Sequence, residues 1–309
     1  MRDASTQMVY DLARRDHRVM ALTADNRNEI YDCIRQELPE QYVDYGIAEE
    51  NMVASAAGLA SCGKIPFLYT ITDFLSLHAL EFIRNDVCVP KQHVIFLGRS
   101  SGLTSYTMGP THQGTEELAI LRTLPNLLVI SPATPIEARE ATRFSYEYDG
   151  PVYIRLEGRG ETEHFGEDFR FLPGEGHVLH AGDDVTVVAM GSIVNEALEV
   201  ATAFETEGVG MRVIEMSTVQ PIDAAMMLDS ARQTKGIISL EEHSKHGGLG
   251  GAIAECLTEQ GCGARLIRLG LNGCAAGCGK RQYMREQNGI GKNALRDAVR
   301  SLMADGGRE

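Results

Sequence analysis

Short apolar runs alternate with longer amphipathic or alanine-rich stretches along the first half of the chain. Residues 19–23, 42–45, 65–70, 94–97, 127–130 and 152–156 have the β-branched and apolar character of strands. The stretches 52–61, 75–86, 115–123 and 135–148 between them carry helical spacing. The strand segments are nearly continuous apolar runs with little polar alternation, as burial on both faces of a sheet requires. This order predicts βαβ units and a parallel sheet covered by helices. After residue 159 the period is lost, and 160–180 is charged, aromatic and glycine-bearing. A second set then begins, with strands at 185–190, 211–215, 236–240 and 265–268. Helices are predicted between them at 195–206, 224–234 and 250–259, with a last one at 293–303. The fold class expected is α/β, two doubly wound domains at 1–160 and 181–309 joined by a linker at 161–180.

Composition narrows the function classes. A chain of 309 residues with 43% hydrophobic positions can fill two cores. A formal net charge of -14 disfavours nucleic acid and anionic membrane surfaces as partners. No apolar run approaches the roughly 18–20 residues that cross a bilayer. Cys33, Cys62, Cys88, Cys256, Cys262, Cys274 and Cys278 form an odd set without CxxC pairs, in a chain without a signal-peptide pattern. Reduced thiols in a cytoplasmic protein are the expectation. The last four of these cysteines have irregular spacing for a metal cluster, and small buried or loop thiols suit them better.

Chemistry concentrates at strand ends. Glu49, in Tyr45-Gly46-Ile47-Ala48-Glu49-Glu50, follows a short strand and opens a small-residue helix, where a carboxylate meets the positive helix end. His112 sits in the glycine-bounded loop Gly109-Pro110-Thr111-His112-Gln113-Gly114, a way to present an acid–base group. Glu49, Phe74, Arg99, His112 and Arg155 all follow predicted strands, and ligands of open α/β sheets bind beyond the carboxyl ends of strands. One pocket edge carrying an acid, an aromatic, an imidazole and two guanidinium groups is expected. Each residue also has a plainer reading. Glu49 would be a dipole-favouring helix carboxylate, Phe74 a core ring, His112 a structural loop histidine and Arg99 a surface arginine.

In these segments the chain resembles the C-terminal half of transketolase and of deoxyxylulose-phosphate synthase, over essentially its whole length. Gly46-Ile47-Ala48-Glu49 is similar to the synthase's Gly-Ile-Ala-Glu and to transketolase's Gly-Val-Arg-Glu. Thr72-Asp73-Phe74 resembles the segment that sets an aromatic against the aminopyrimidine, and Gly109-Pro110-Thr111-His112-Gln113 resembles Asp-Gly-Pro-Thr-His-Gln. Tyr153-Ile154-Arg155 with Gly158-Arg159-Gly160 resembles the strand that delivers a phosphate-binding arginine. The resemblance implies a pyrimidine-binding domain followed by a transketolase C-terminal domain, with thiamin diphosphate as cofactor. It implies that Glu49 acts at the pyrimidine N1′, with Glu50 as second choice, and that Phe74 packs on the ring with Ile71 and Leu68 as walls. Asp25 matches an acid near the thiazolium, or is equally a helix N-cap. His112 matches the histidine on substrate oxygens, Arg155 a phosphate-binding arginine, and Arg99 a position held by arginine in the synthase and histidine in transketolase. His243 is expected to be structural or interfacial.

Two departures qualify this. The family holds the diphosphate through a metal on a Gly-Asp-Gly motif, and the chain contains no Gly-Asp-Gly. The expectation is therefore a split enzyme: a separate N-terminal transketolase-like subunit supplies that motif and the Mg2+ or Ca2+, in an α2β2 assembly, with no metal on this chain. The second departure is Met108, which stands where the family often has an aspartate that recognises a substrate hydroxyl. A thioether leaves such a hydroxyl unpaired, so a substrate other than the ordinary pentose phosphate is expected. The leading activity is transfer of a two-carbon ketol between a (phospho)sugar-like donor and an aldehyde. The β subunit of a 2-oxoacid dehydrogenase or acyloin-forming synthase, and a non-catalytic assembly paralogue, are the alternatives.

Overall fold

The computed structural model describes residues 1–26, 28–158 and 161–305, the side chain of Asp305 excepted. Arg159 and Gly160 of the motif quoted above lie outside the described residues. The first half builds α1 (Arg2–Ala13), β1 (Val19–Thr23), α2 (Glu29–Glu37), β2 (Tyr42–Asp44), α3 (Glu49–Ser61) and β3 (Ile65–Ile71). A distorted helical run follows, with α4 (Leu80–Phe82) flanked by π-helical turns at Phe74–His78 and Ile83–Cys88. Then come β4 (Ile95–Arg99), α5 (Glu117–Leu121), β5 (Leu128–Ile130), α6 (Pro135–Glu147) and β6 (Val152–Leu156). The second half contributes β7 (His177–His180), β8 (Val185–Ala189), α7 (Val194–Glu205), β9 (Met211–Glu215), β10 (Thr218–Gln220) and α8 (Ala224–Gln233). It ends with β11 (Ile237–Ser244), α9 (Leu249–Glu259), β12 (Leu266–Leu271), α10 (Arg281–Gln287) and α11 (Lys292–Asp305).

The first sheet has the order β10-β5-β6-β4-β3-β1-β2, parallel except for β10, and the second has the order β12-β11-β8-β9-β7, parallel except for β7. All six strands expected in the first half are present. The alternation of side chains sends Val19 and Ala21 to one face, beneath α1, α2 and α6, and Met20 and Leu22 to the other. That second face joins Leu68, Phe96 and Tyr153 to Met190, Met216 and Ile253 of the second half in one apolar core.

Two short antiparallel strands have no counterpart among the predicted elements. β7 lies inside the stretch expected to be a linker, so the second sheet begins before residue 181. β10 leaves its own half of the chain and pairs with β5 of the first sheet, Thr218 opposite Ile130. Register aligns the carboxyl ends of the first sheet: Thr23 pairs with Asp44 and Tyr69, Ile71 with Arg99, and Arg99 with Leu156. The strand ends that carry the expected site therefore share one edge. Among the described residues no helix is long and apolar enough to cross a membrane.

Candidate active site

Glu49 opens α3 behind Ala48, which caps nothing with its side chain, so the first-turn amides lack an internal partner. Gly46 has φ +64°, a conformation that favours glycine, and its amide donates to Asp44 Oδ1 at 2.9 Å. The same oxygen accepts from the Asp25 amide at 3.0 Å, which ties the ends of β1 and β2 together. This turn directs Glu49 inward, where it is 3% exposed, while Glu50 is only half-buried and Ile47 stands out at 84%. Among the described residues the Glu49 carboxylate has no hydrogen-bond or ion-pair partner.

α3 packs on the π-helical turn that carries Phe74. The Phe74 ring stacks on His78 with centroids 5.5 Å apart and meets His112 edge-on at 5.2 Å. The structure thus brings Phe74 and His112 together, and His78, unmarked by the sequence, completes the row. His112 Nδ1 lies 2.9 Å from Thr111 Oγ1. Beneath them Asp73 is buried beside Gly114, where an added Cβ would lie 2.4 Å from Thr72 Cγ2 and 3.4 Å from Asp73 Oδ1. Burial, then the Glu117 and Glu116 carboxylates, push the Asp73 carboxyl up to about 7. Asp73 belongs to the Thr72-Asp73-Phe74 segment, but a lone aspartate after a strand carries no signal that it will be buried among other acids.

Arg99 is half-buried at the end of β4. It donates to Asn26 Oδ1 at 2.7 Å and to Ser100 Oγ at 3.3 Å, and burial, with the nearby Arg2 cation, lowers its pKa. Ser100 adopts φ +64°, a strained conformation for a residue with a Cβ, and such strain clusters at functional sites. A cavity of about 340 Å³ opens beside it, lined by Arg2, Ser100, Thr104, Tyr106 and Arg281 among others. Arg2 and Arg281 had no distinguishing signal in the sequence.

Three expected residues sit differently. Arg155 is fully buried: Nε donates to Glu117 Oε1 at 2.6 Å, and Nη1 to Glu157 Oε1 at 3.2 Å. Nη2 donates to the carbonyls of Gly114 and Glu242 at 3.0 and 2.8 Å. Burial alone would lower the pKa of this guanidinium, but Glu117 and Glu157 outweigh that and hold it above its ordinary value. Its donors are occupied within the protein, which corrects its placement on a substrate phosphate. Leu68 is wholly enclosed in the core and walls no pocket, whereas Ile71 ends β3 at 8% exposure. Asp25 is exposed at φ +48° and does not cap α2, whose N-cap is Asn28. Met108 is 59% exposed on the loop before His112. His243 is buried between the two halves of the chain.

The partnerless Glu49 and the half-buried Phe74 fit the pyrimidine end of thiamin diphosphate. Among the described residues no group of three metal-ligating side chains is placed to hold an ion.

Residues 1–161 match the transketolase pyrimidine-binding domain, and residues 174–294 the transketolase C-terminal domain. A 6-deoxy-6-sulfo-D-fructose transketolase subunit of Clostridium sp. (strain MSTE9) is 35% identical over 94% of this chain and 90% of its own. An apulose-4-phosphate transketolase subunit of Actinobacillus succinogenes is 34% identical over 86% of each chain. A solved structure described as a split gene transketolase, inactive beta4 tetramer, superimposes with a TM-score of 0.90 at 37% identity, over 98% of both chains. Two matched domains in family order, on a fold that superimposes throughout, establish that this chain belongs to the transketolase family.

Proposed function

We propose that the chain is the C-terminal subunit of a split, thiamin-diphosphate-dependent transketolase-like enzyme that moves a two-carbon ketol unit from a sugar-like donor to an aldehyde. The observation that carries this is the Glu49 carboxylate, 3% exposed at the start of α3 with no protein partner among the described residues, on a helix that packs on the turn carrying Phe74, whose ring meets His112. When bound, the cofactor supplies a carbanion equivalent at its thiazolium carbon. Glu49 would hold the proton at the pyrimidine N1′. Phe74 offers the ring a face, and His112 moves protons at the substrate oxygens. Ile71 contributes a wall.

The anionic end of the substrate goes to the cavity of Arg2, Ser100 and Tyr106, with Arg99 at its side. Asp25, just beyond the carboxyl end of β1, is assigned to the thiazolium side of the cofactor. Relatives named for 6-deoxy-6-sulfo-D-fructose and for apulose-4-phosphate support a substrate outside the ordinary pentose phosphates, and so does the exposed thioether of Met108. The diphosphate and its Mg2+ or Ca2+ are assigned to an N-terminal partner carrying Gly-Asp-Gly, in an α2β2 assembly. A solved relative described as an inactive beta4 tetramer supports that need for a partner. The free thiols suit a reducing cytoplasm.

Co-expression with such a partner, followed by assay of ketol transfer, tests the proposal. Glu49→Ala is expected to cost at least ~100-fold in rate, comparable to losing a main electrostatic group, with the chain's melting temperature retained. Full activity of Glu49→Ala, turnover by this chain alone, or carbon dioxide release from a 2-oxoacid as the sole activity would overturn it. Met108→Asp is expected to shift preference toward donors with an extra hydroxyl, read as a ratio of kcat/KM values.

A further inference from the structure

The end of β11, in the second half of the chain, is bonded to both feet of the loop that carries His112. Glu242 Oε2 accepts from the Leu103 amide at 2.9 Å, on the near foot. On the far foot the Ser244 amide donates to the Thr115 carbonyl at 2.7 Å. Arg155 bridges the Glu242 carbonyl to that of Gly114. His243 completes the set, with Nε2 accepting from the amides of Leu118 and Ala119 at 3.1 and 3.4 Å, in the first turn of α5. An amide can only donate, so Nε2 carries the lone pair and the ring proton sits on Nδ1, 2.8 Å from the Ser244 carbonyl. The neutral ring is thus fixed at both nitrogens, with the Glu241 and Glu117 carboxylates 3.7 and 3.9 Å away.

Between these feet the loop has mostly local support. The His112 amide donates to Gly109 O at 3.1 Å and the Met108 amide to Ser105 O at 2.9 Å. The His112 ring has its neighbour Thr111 and the edge contact to Phe74. The place of the imidazole is therefore inherited from where its feet are held.

We propose that His243 is a positioning residue for His112, so that the second half of the chain sets the proton-transfer geometry of the site. This rests on the role given to His112 above. An imidazole displaced by about 1 Å loses the alignment that proton transfer needs, which can cost up to ~100-fold in rate.

Two neutral variants separate positioning from bulk. In His243→Gln the amide oxygen reaches toward the Nε2 position and still accepts from α5. In His243→Asn the amide serves only the Nδ1 side. In the assembly with its partner, His243→Asn is expected to lower kcat about tenfold while KM stays within about twofold, and His243→Gln to keep most of the rate. In a His112→Ala background, His243→Asn should cost nothing further, because the group it positions is gone. Equal losses in Asn and Gln, or the same Asn loss in both backgrounds, would overturn the proposal. A His112→Ala variant with full activity would instead sink the role given to His112. Hydrogen exchange on the chain alone gives a second reading: amides 109–119 should exchange faster in His243→Asn than in His243→Gln. Identical exchange would also refute the anchor.

Discussion

Asp73 shows how one residue couples the site to pH. Its carboxyl is raised to about 7 by burial and by the Glu117 and Glu116 carboxylates, so the folded protein prefers it protonated. An acid raised in the folded state contributes stability that is fully present below its unfolded value, about 3.9, and is lost as pH rises through the folded one. Asp73→Asn keeps the shape and removes the charge, so its melting temperature relative to wild type should climb between about pH 5 and about pH 8. A parallel decline in both proteins would assign the slope to other groups. Arg155 teaches the complementary lesson. A guanidinium at a strand end looks the same in sequence whether it faces a ligand or a buried acid. Its buried ion-pair partner Glu117 and the Glu242 carbonyl lie 38 and 87 residues away, so no local pattern pairs them with it. Deleting such a buried partner leaves a charge uncompensated, at a cost of about 3–5 kcal/mol.

At the scale of elements, the loop 109–114 closes on the end of β3 only because Gly114 has no Cβ. Gly114→Ala should destabilise by about 1–3 kcal/mol, as overpacking does, measured by urea unfolding. The contact at 2.4 Å is with the Thr72 methyl, so adding Thr72→Ser should recover part of that loss while sparing the hydroxyl bonded to Ser101 Oγ at 2.7 Å. A double variant no better than the single would show that the backbone, and not the methyl, is the obstacle. The parallel strands of both sheets were legible because burial on both faces writes itself as continuous apolar runs. β7 and β10 were not, since three or four residues at a sheet margin carry too little pattern. The π-helical turns around α4 were equally hidden, because their apolar spacing passes for an ordinary helix. Glu49, Phe74 and His112 could be found because each sits beside a glycine or a strand end. The cavity of Arg2 and Arg281 could not, because it is assembled from both ends of the chain.

Across the whole molecule, the two halves meet through acids as well as through apolar packing. Glu137 on α6 and Glu215 at the end of β9 are wholly buried. Burial raises both carboxyls, and Glu137 raises Glu215 further, so that Glu215 is held well above the usual range. Their stabilising effect is complete below about 4.3 and fades as pH rises through the raised values. Glu215→Gln supplies a permanently neutral partner, so it should be more stable than wild type at about pH 8 and nearly equal at about pH 5, by calorimetry. Greater stability of wild type at the higher pH would contradict the raised Glu215 carboxyl. The strand β10 carries one more consequence. It caps β5, the last strand the first half contributes to its own sheet, with Gln220 opposite Val129. A fragment ending before β7 would leave that ladder open, a row of unanswered amides and carbonyls able to recruit a strand from another copy. The first half expressed alone should self-associate, and supplying the second half in trans should return it to solution.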